Sequence, residues 1–149
     1  MKRRRKRSQA VISYTMSRIR SKDTSIERTL RCALWRAGLR YRKHYPKAPG
    51  TPDMAFVSAR IAVFADSTFW HGRDWSERKS RMKTNKRYWV QKIERNMARD
   101  RRVNDELKAM GWLVLRFWDV DIEGNLPKCV RKVVLAMKRR NRVNASYNS

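Results

Sequence analysis

Residues 50–72 constrain this chain more than any other stretch. Gly50-Thr51-Pro52-Asp53-Met54-Ala55-Phe56-Val57 and Ile61-Ala62-Val63-Phe64-Ala65-Asp66-Ser67-Thr68-Phe69-Trp70-His71-Gly72 read as two short apolar strands joined at Ser58-Ala59-Arg60. Hairpin pairing brings Asp53, at the head of the first strand, to the same end of the sheet as Asp66, at the end of the second. One acid in a turn means little. Here the second strand runs into an acid, an aromatic pair and His71, one of only two histidines. Converging carboxylates can hold a divalent cation, and a nearby imidazole can move a proton.

Charge says what such a site faces. The 149 residues carry 38 Lys and Arg against 13 Asp and Glu, a formal net charge of +25. A field of that size draws a protein to polyanions, where neutralised phosphates supply most non-specific affinity. A ribosomal or architectural protein needs that charge and nothing else, so charge alone leaves both classes open. No long apolar run or basic amphipathic anchor points to a membrane. Met1-Lys2-Arg3-Arg4-Arg5-Lys6-Arg7 has no apolar stretch after it and reads as part of a flexible basic arm over residues 1–15, not as a secretory signal. Cys32 and Cys129 sit within helical patterns as small buried hydrophobes of a reducing compartment, and no Cys/His spacing fits zinc. Forty-one per cent hydrophobic residues, six of them Trp, suffice for one packed domain over residues 16–140.

Thr24-Ser25-Ile26-Glu27 is a capping box, followed by Ile26, Leu30, Ala33, Leu34 and Ala37 at helical spacing up to Gly38. Tyr41 to Tyr45 is extended, then Pro46 to Pro52 is a loop. Residues 72–86 lack periodicity and read as a polar loop. From Tyr88, Trp89, Ile93 and Met97 share a helical face with Val103, Leu107 and Met110 beyond. Trp112-Leu113-Val114-Leu115-Arg116-Phe117-Trp118 is a buried strand, and Val130, Val133, Val134 and Met137 mark a last helix from about Pro127 to Arg139. Residues 141–149 read as a disordered tail. This order predicts an α/β fold of three layers, a central mixed sheet flanked by helices.

Several of these pieces, taken in order, resemble one family. They are Asp23-Thr24-Ser25-Ile26-Glu27, the Pro52-Asp53 strand, Phe64 through His71, Tyr88-Trp89 to Asp100-Arg101-Arg102, and Gly111-Trp112-Leu113-Val114-Leu115 with Phe117-Trp118. Together they look like the very-short-patch repair (Vsr-like) endonucleases, within the restriction-endonuclease-like PD-(D/E)xK nucleases, over roughly Met16 to Val120. The resemblance implies Asp53 as a Mg2+ ligand, Ala65 as a main-chain carbonyl ligand, His71 as general base, Asp100 as its partner, and Glu27 as an acid reaching the metal through water. Glu27 also has the capping box as a rival role. Asp66 stands where known members carry histidine. It restores the second acid of the wider group and is expected near the metal. Threonine (Thr68) holds the place of the group's usual lysine, so something else must activate water. The resemblance implies His71, and an imidazole, which ordinarily titrates near neutrality, suits a general base.

Phe69, Trp70 and Trp89 match aromatics that the repair enzymes wedge into the base stack, with core packing as the rival use. Adjacent side chains on a strand alternate, so at least one of Phe69 and Trp70 is expected to be exposed. Lys92 and Asn96 match residues near the DNA backbone and base edges. The family's zinc positions hold Thr68, Arg73, Trp75 and Val120, so no structural zinc is expected, and packing, with Trp75, is expected to hold that loop. His44 matches nothing catalytic and is expected at the surface or on a phosphate.

The expected function is a Mg2+-dependent endonuclease acting on double-stranded DNA in a bacterial or phage-type cytoplasm. It is expected to be monomeric, with a dimer left open, and to nick at or near T:G mismatches. The alternatives are a zinc-less sequence-directed nuclease of homing or defence type, and a basic DNA-binding protein without turnover.

Overall fold

A computed structural model describes residues 24–148. The expected basic arm of residues 1–15 lies outside the described residues.

Helix α1 (Ser25–Arg36) starts where the capping box predicts, with the Thr24 side chain accepting from the Glu27 amide at 3.3 Å. Four strands follow the hairpin signal: β1 (Arg42–Lys43), β2 (Met54–Phe56), β3 (Ile61–Asp66) and β4 (Leu113–Trp118). They lie in the order β1-β2-β3-β4. The first three are antiparallel and β4 runs parallel to β3. A parallel neighbour needs a long crossover. It is made by α2 (Trp75–Arg81) and the 24-residue α3 (Lys86–Ala109). Two more helices, α4 (Asp119–Gly124) and α5 (Leu126–Tyr147), complete the chain.

Strand alternation sorts the core onto two unequal faces. Met54, Phe56, Ile61, Val63 and Phe117 meet Leu30 and Leu34 of α1, Ile122 of α4, and Cys129 and Val133 of α5. The opposite face offers Ala55, Ala62 and Phe64 to Ala48, Leu107 of α3 and Trp112. Each fully buried large aliphatic contributes about 1.5–3 kcal/mol, so the first face carries most of the stability. The alanine face brings α3 close to the sheet, and Gly50 extends that approach. A Cβ on Gly50 would sit 2.4 Å from Val103 Cγ1. The predicted three-layer α/β architecture is therefore present: α1, α4 and α5, then the mixed sheet, then α3.

Several boundaries differ from the sequence reading. Within the expected loop of residues 72–86 lies α2, which buries no residue and so leaves no periodic signal. Helix α5 continues to Tyr147, so residues 141–147 are helical and not a disordered tail. Val143 and Tyr147 are 50% and 88% exposed, so those last turns pack on nothing that apolar periodicity could register. The expected strand from Tyr41 to Tyr45 shrinks to two residues because His44 turns at φ 45°. Cys129 is buried as expected, but Cys32 is exposed.

Candidate active site

Two carboxylate–imidazole clusters stand at one end of the sheet. The first is built from α1, the end of β1 and the start of β2. Glu27, in the first turn of α1, is 2% exposed, and its Oε1 lies 3.2 Å from Arg31 Nη1 and 2.5 Å from His44 Nε2. His44 N–H donates to Asp53 O at 3.0 Å, and Tyr45 N–H donates to Pro52 O at 3.1 Å. These bonds extend the β1–β2 ladder and register His44 against Asp53. The Asp53 carboxylate accepts from the Ala65 amide at 2.8 Å. One ligand atom each from Glu27, His44 and Asp53 falls within a 4.8 Å span. Burial pushes Asp53 up to about 6, against its hydrogen bond from Ala65. The charges of Glu27 and Asp66 add to the rise, and His44 opposes it. A buried carboxylate crowded by two others fits a divalent cation, which would supply the positive charge it lacks. The sequence reading put His44 at the surface. The left-handed turn instead folds its ring onto Glu27.

The second cluster lies on the α3 face of the sheet. Asp66 closes β3 on the Phe64 side, Asp100 projects from α3, and His71 stands in the turn after β3. His71 Nδ1 is bonded to Asp100 Oδ2, and its Nε2 lies 3.8 Å from Asp66 Oδ1. Sequence reasoning missed Arg116. Its guanidinium donates to both oxygens of Asp66 at 3.2 and 3.0 Å, lies 3.7 Å from Asp100 Oδ1, and stacks 4.0 Å above the Phe64 ring. Its Nε donates to Asn104 at 2.8 Å. The signal was one arginine inside the apolar strand Leu113–Trp118. Burial lowers the His71 pKa, but the Asp100 hydrogen bond and the charges of Asp66 and Asp100 outweigh it and leave the imidazole above its ordinary value. Burial raises Asp66 despite Arg116 and His71. Asp66, expected near the metal, is thus grouped with His71 and Asp100, whose ligand atoms likewise fall within 4.8 Å of one another and could hold an ion, and not with Glu27 and Asp53. Ala65, whose carbonyl the resemblance offered as a ligand, lies between the clusters in sequence and ties to the first through its N–H.

Phe69 and Trp70 belong to a turn, since β3 ends at Asp66, so strand alternation does not govern them. Both are half-buried and lie outside the two cores. With Trp89 they form a three-ring cluster at centroid distances of 5.0, 5.5 and 5.6 Å. Lys92 Nζ lies 5.0 Å from the Trp70 ring centroid, and Asn96 donates to the Trp70 carbonyl at 3.2 Å. Gly72 lets the turn press on α3, where a Cβ would meet Met97 Sδ at 2.3 Å.

Polar bonds hold this loop where packing had been expected. Thr68 donates to Asp119 through both N–H and hydroxyl, and Arg73 pairs with Asp121 at 3.2 Å. Arg78 donates to the carbonyls of Thr68 and Phe69 at 2.6 and 3.3 Å. Trp75 Nε1 donates to Glu94 at 3.2 Å, and Val120 is exposed.

Known proteins are similar to this chain in sequence. A family model described as DNA mismatch endonuclease Vsr matches residues 4–77. The chain is 46% identical to the type II nicking enzyme V.NmeDIP of Neisseria meningitidis serogroup C over 80% of each chain. It is 45% identical to the type II nicking enzyme V.HpaIIP of Haemophilus parainfluenzae, over 81% of this chain and 86% of that one. Against the DNA mismatch endonuclease Vsr of Escherichia coli it is 34% identical, over 77% and 73% respectively. With identity of this extent over most of each chain, the chain belongs to the Vsr family of DNA endonucleases.

Proposed function

We propose that this family member is a divalent-metal-dependent endonuclease that cuts one strand of duplex DNA at or near a T:G mismatch. The observation that carries the reading is the pairing, at one sheet end, of a Glu27–His44–Asp53 cluster that could hold a cation with the His71–Asp100 couple. Glu27 and Asp53 would hold the ion; hard carboxylates accept Mg2+, the ion that the family resemblance implies. When bound, the ion neutralises charge developing on the phosphoryl oxygens.

His71 gives its Nδ1 proton to the hydrogen bond with Asp100, which leaves Nε2 to take a proton from the attacking water. Asp66 and Asp100 then stabilise the imidazolium, and Arg116 keeps both carboxylates in place. The protonated ring cannot act as base, so cleavage rises with pH through the elevated His71 pKa. Phe69, Trp70 and Trp89 are read as the wedge that probes the stack, since unpairing is cheapest at a mismatch. The name of the Escherichia coli relative supports mismatch action, and the names of the other two support nicking. The net charge of +25 supports a DNA partner, and no described helix is long and apolar enough to cross a membrane. We assign its action, as a monomer, to the bacterial nucleoid.

The test compares matched and T:G duplexes with Mg2+ and with chelator. Faster nicking of T:G, abolished by chelator, supports the reading. Equal cutting of both moves it to a sequence-directed nuclease, and no cutting under any condition leaves a DNA-binding protein.

A further inference from the structure

His44 has no place in the mechanism above, yet its ring nitrogen is aimed into the ion-binding cluster. Three features fix it there. Its backbone N–H is bonded to the carbonyl of Asp53, so one ladder sets both residues. Its φ of 45° turns the side chain off the strand path. Its Nε2 lies 2.5 Å from the oxygen of a carboxylate that is itself 2% exposed. Ligand atoms of Glu27, His44 and Asp53 fall within 4.8 Å of one another, and each comes from a different part of the fold.

We propose that His44 Nε2 is a direct ligand of the divalent ion held by Glu27 and Asp53, so that this site favours Mn2+ or Co2+ over Mg2+. The inference rests on the metal-dependent reading above and deepens it. In the metal-free chain Nε2 and Glu27 Oε1 lie at hydrogen-bonding distance. His44 and Glu27 would hold the ion by opening that contact, with any proton held there released to solvent. Mg2+ is a hard ion that prefers oxygen, whereas an imidazole donor suits first-row transition ions and strengthens their binding along the usual series. A nitrogen among the ligands therefore tilts the site away from magnesium. The rival arrangement leaves His44 as a hydrogen-bond partner of Glu27, outside the coordination shell. The two differ in whether the ion senses a nitrogen.

The probe is Mn2+ alone on the full chain without DNA, followed by electron spin echo envelope modulation. Coupling to a directly bound imidazole nitrogen is expected in the wild-type protein. It should vanish in His44→Asn, whose side chain tolerates the left-handed turn, and persist in His71→Ala. Mg2+ competition should then show the Mn2+ preference falling by roughly tenfold or more in His44→Asn. If His44→Asn melts below wild type, His44→Gln, which still reaches Glu27, takes its place. Mn2+ bound to wild type without nitrogen coupling overturns the proposal, as does coupling that survives His44→Asn and disappears in His71→Ala. Coupling in a protein that cleaves DNA with no metal at all upholds the His44 site and sinks the metal-dependent reading of cleavage instead.

Discussion

The two clusters have nearly the same ingredients, two carboxylates and one imidazole, and differ in how their charge is balanced. Around His71, one guanidinium spans both acids, at 3.0 Å from Asp66 and 3.7 Å from Asp100, and is itself locked onto Phe64. Around His44, among the described residues, Arg31 reaches Glu27 at 3.2 Å, while the Asp53 carboxylate accepts from the Ala65 backbone amide. The His71 cluster has its guanidinium shared between both acids and suits moving a proton. In the His44 cluster no described guanidinium reaches Asp53, which suits holding a cation. Similar residues thus acquire different chemistry from the placement of one arginine.

That contrast can be broken experimentally. The largest effect is expected from Asp53→Asn, which should cut cleavage by roughly a thousandfold or more by removing the ion's charged ligand, as read by plasmid nicking at saturating Mg2+. The same substitution should stabilise the metal-free protein. Asp53 holds its proton in the folded state up to about 6, against 3.8 ordinarily, so its contribution is complete below 3.8 and lost as pH rises through 6. Thermal unfolding with chelator at pH 8 should therefore favour the variant by roughly 2–3 kcal/mol, with the difference gone at pH 3.5. Equal stability at both pH values would mean that Asp53 is not short of positive charge.

His71→Ala should lower the cleavage rate by roughly a hundredfold while leaving DNA affinity nearly unchanged. Weaker binding at an unchanged rate would make His71 a DNA contact. A smaller loss, roughly tenfold, is expected from Asp100→Asn, together with a signature that a merely structural role lacks. The hydrogen bond and charge that raise His71 are removed, so the midpoint of the rate–pH curve should move to lower pH. A midpoint that stays put would separate the two residues functionally. The mildest change belongs to Trp70→Ala. It should erase a T:G preference while residual cutting persists at high enzyme concentration.

What the sequence made legible follows burial and periodicity. The strands around Met54–Phe56 and Ile61–Asp66, the capped helix at Thr24 and the three-layer order were readable because apolar spacing reports packing directly. Helix α2 and the last turns of α5 bury almost nothing, so no spacing announced them. In the site, Asp53, Asp66 and His71 stood out by their positions at and beyond strand ends, whereas Asp100, inside α3, was offered only by the family resemblance. His44 escaped notice because a single left-handed residue redirects it, and backbone handedness at a non-glycine position leaves little trace in the sequence. Arg116 could have been caught, since a lone charge in an apolar strand needs a buried partner.

Phe69, Trp70 and His71 are consecutive residues of one turn, and that turn is fastened along its length by Arg78, Asn96 and the tight seat of Gly72 on Met97. A torque applied to the Trp70 ring therefore reaches the imidazole through a single peptide unit, with little slack to absorb it. Such a segment works as a short lever. If the rings seat on a duplex as proposed, their fit bears with Asp100 on the angle of Nε2, and a duplex that seats them badly would be held firmly and still be cut slowly.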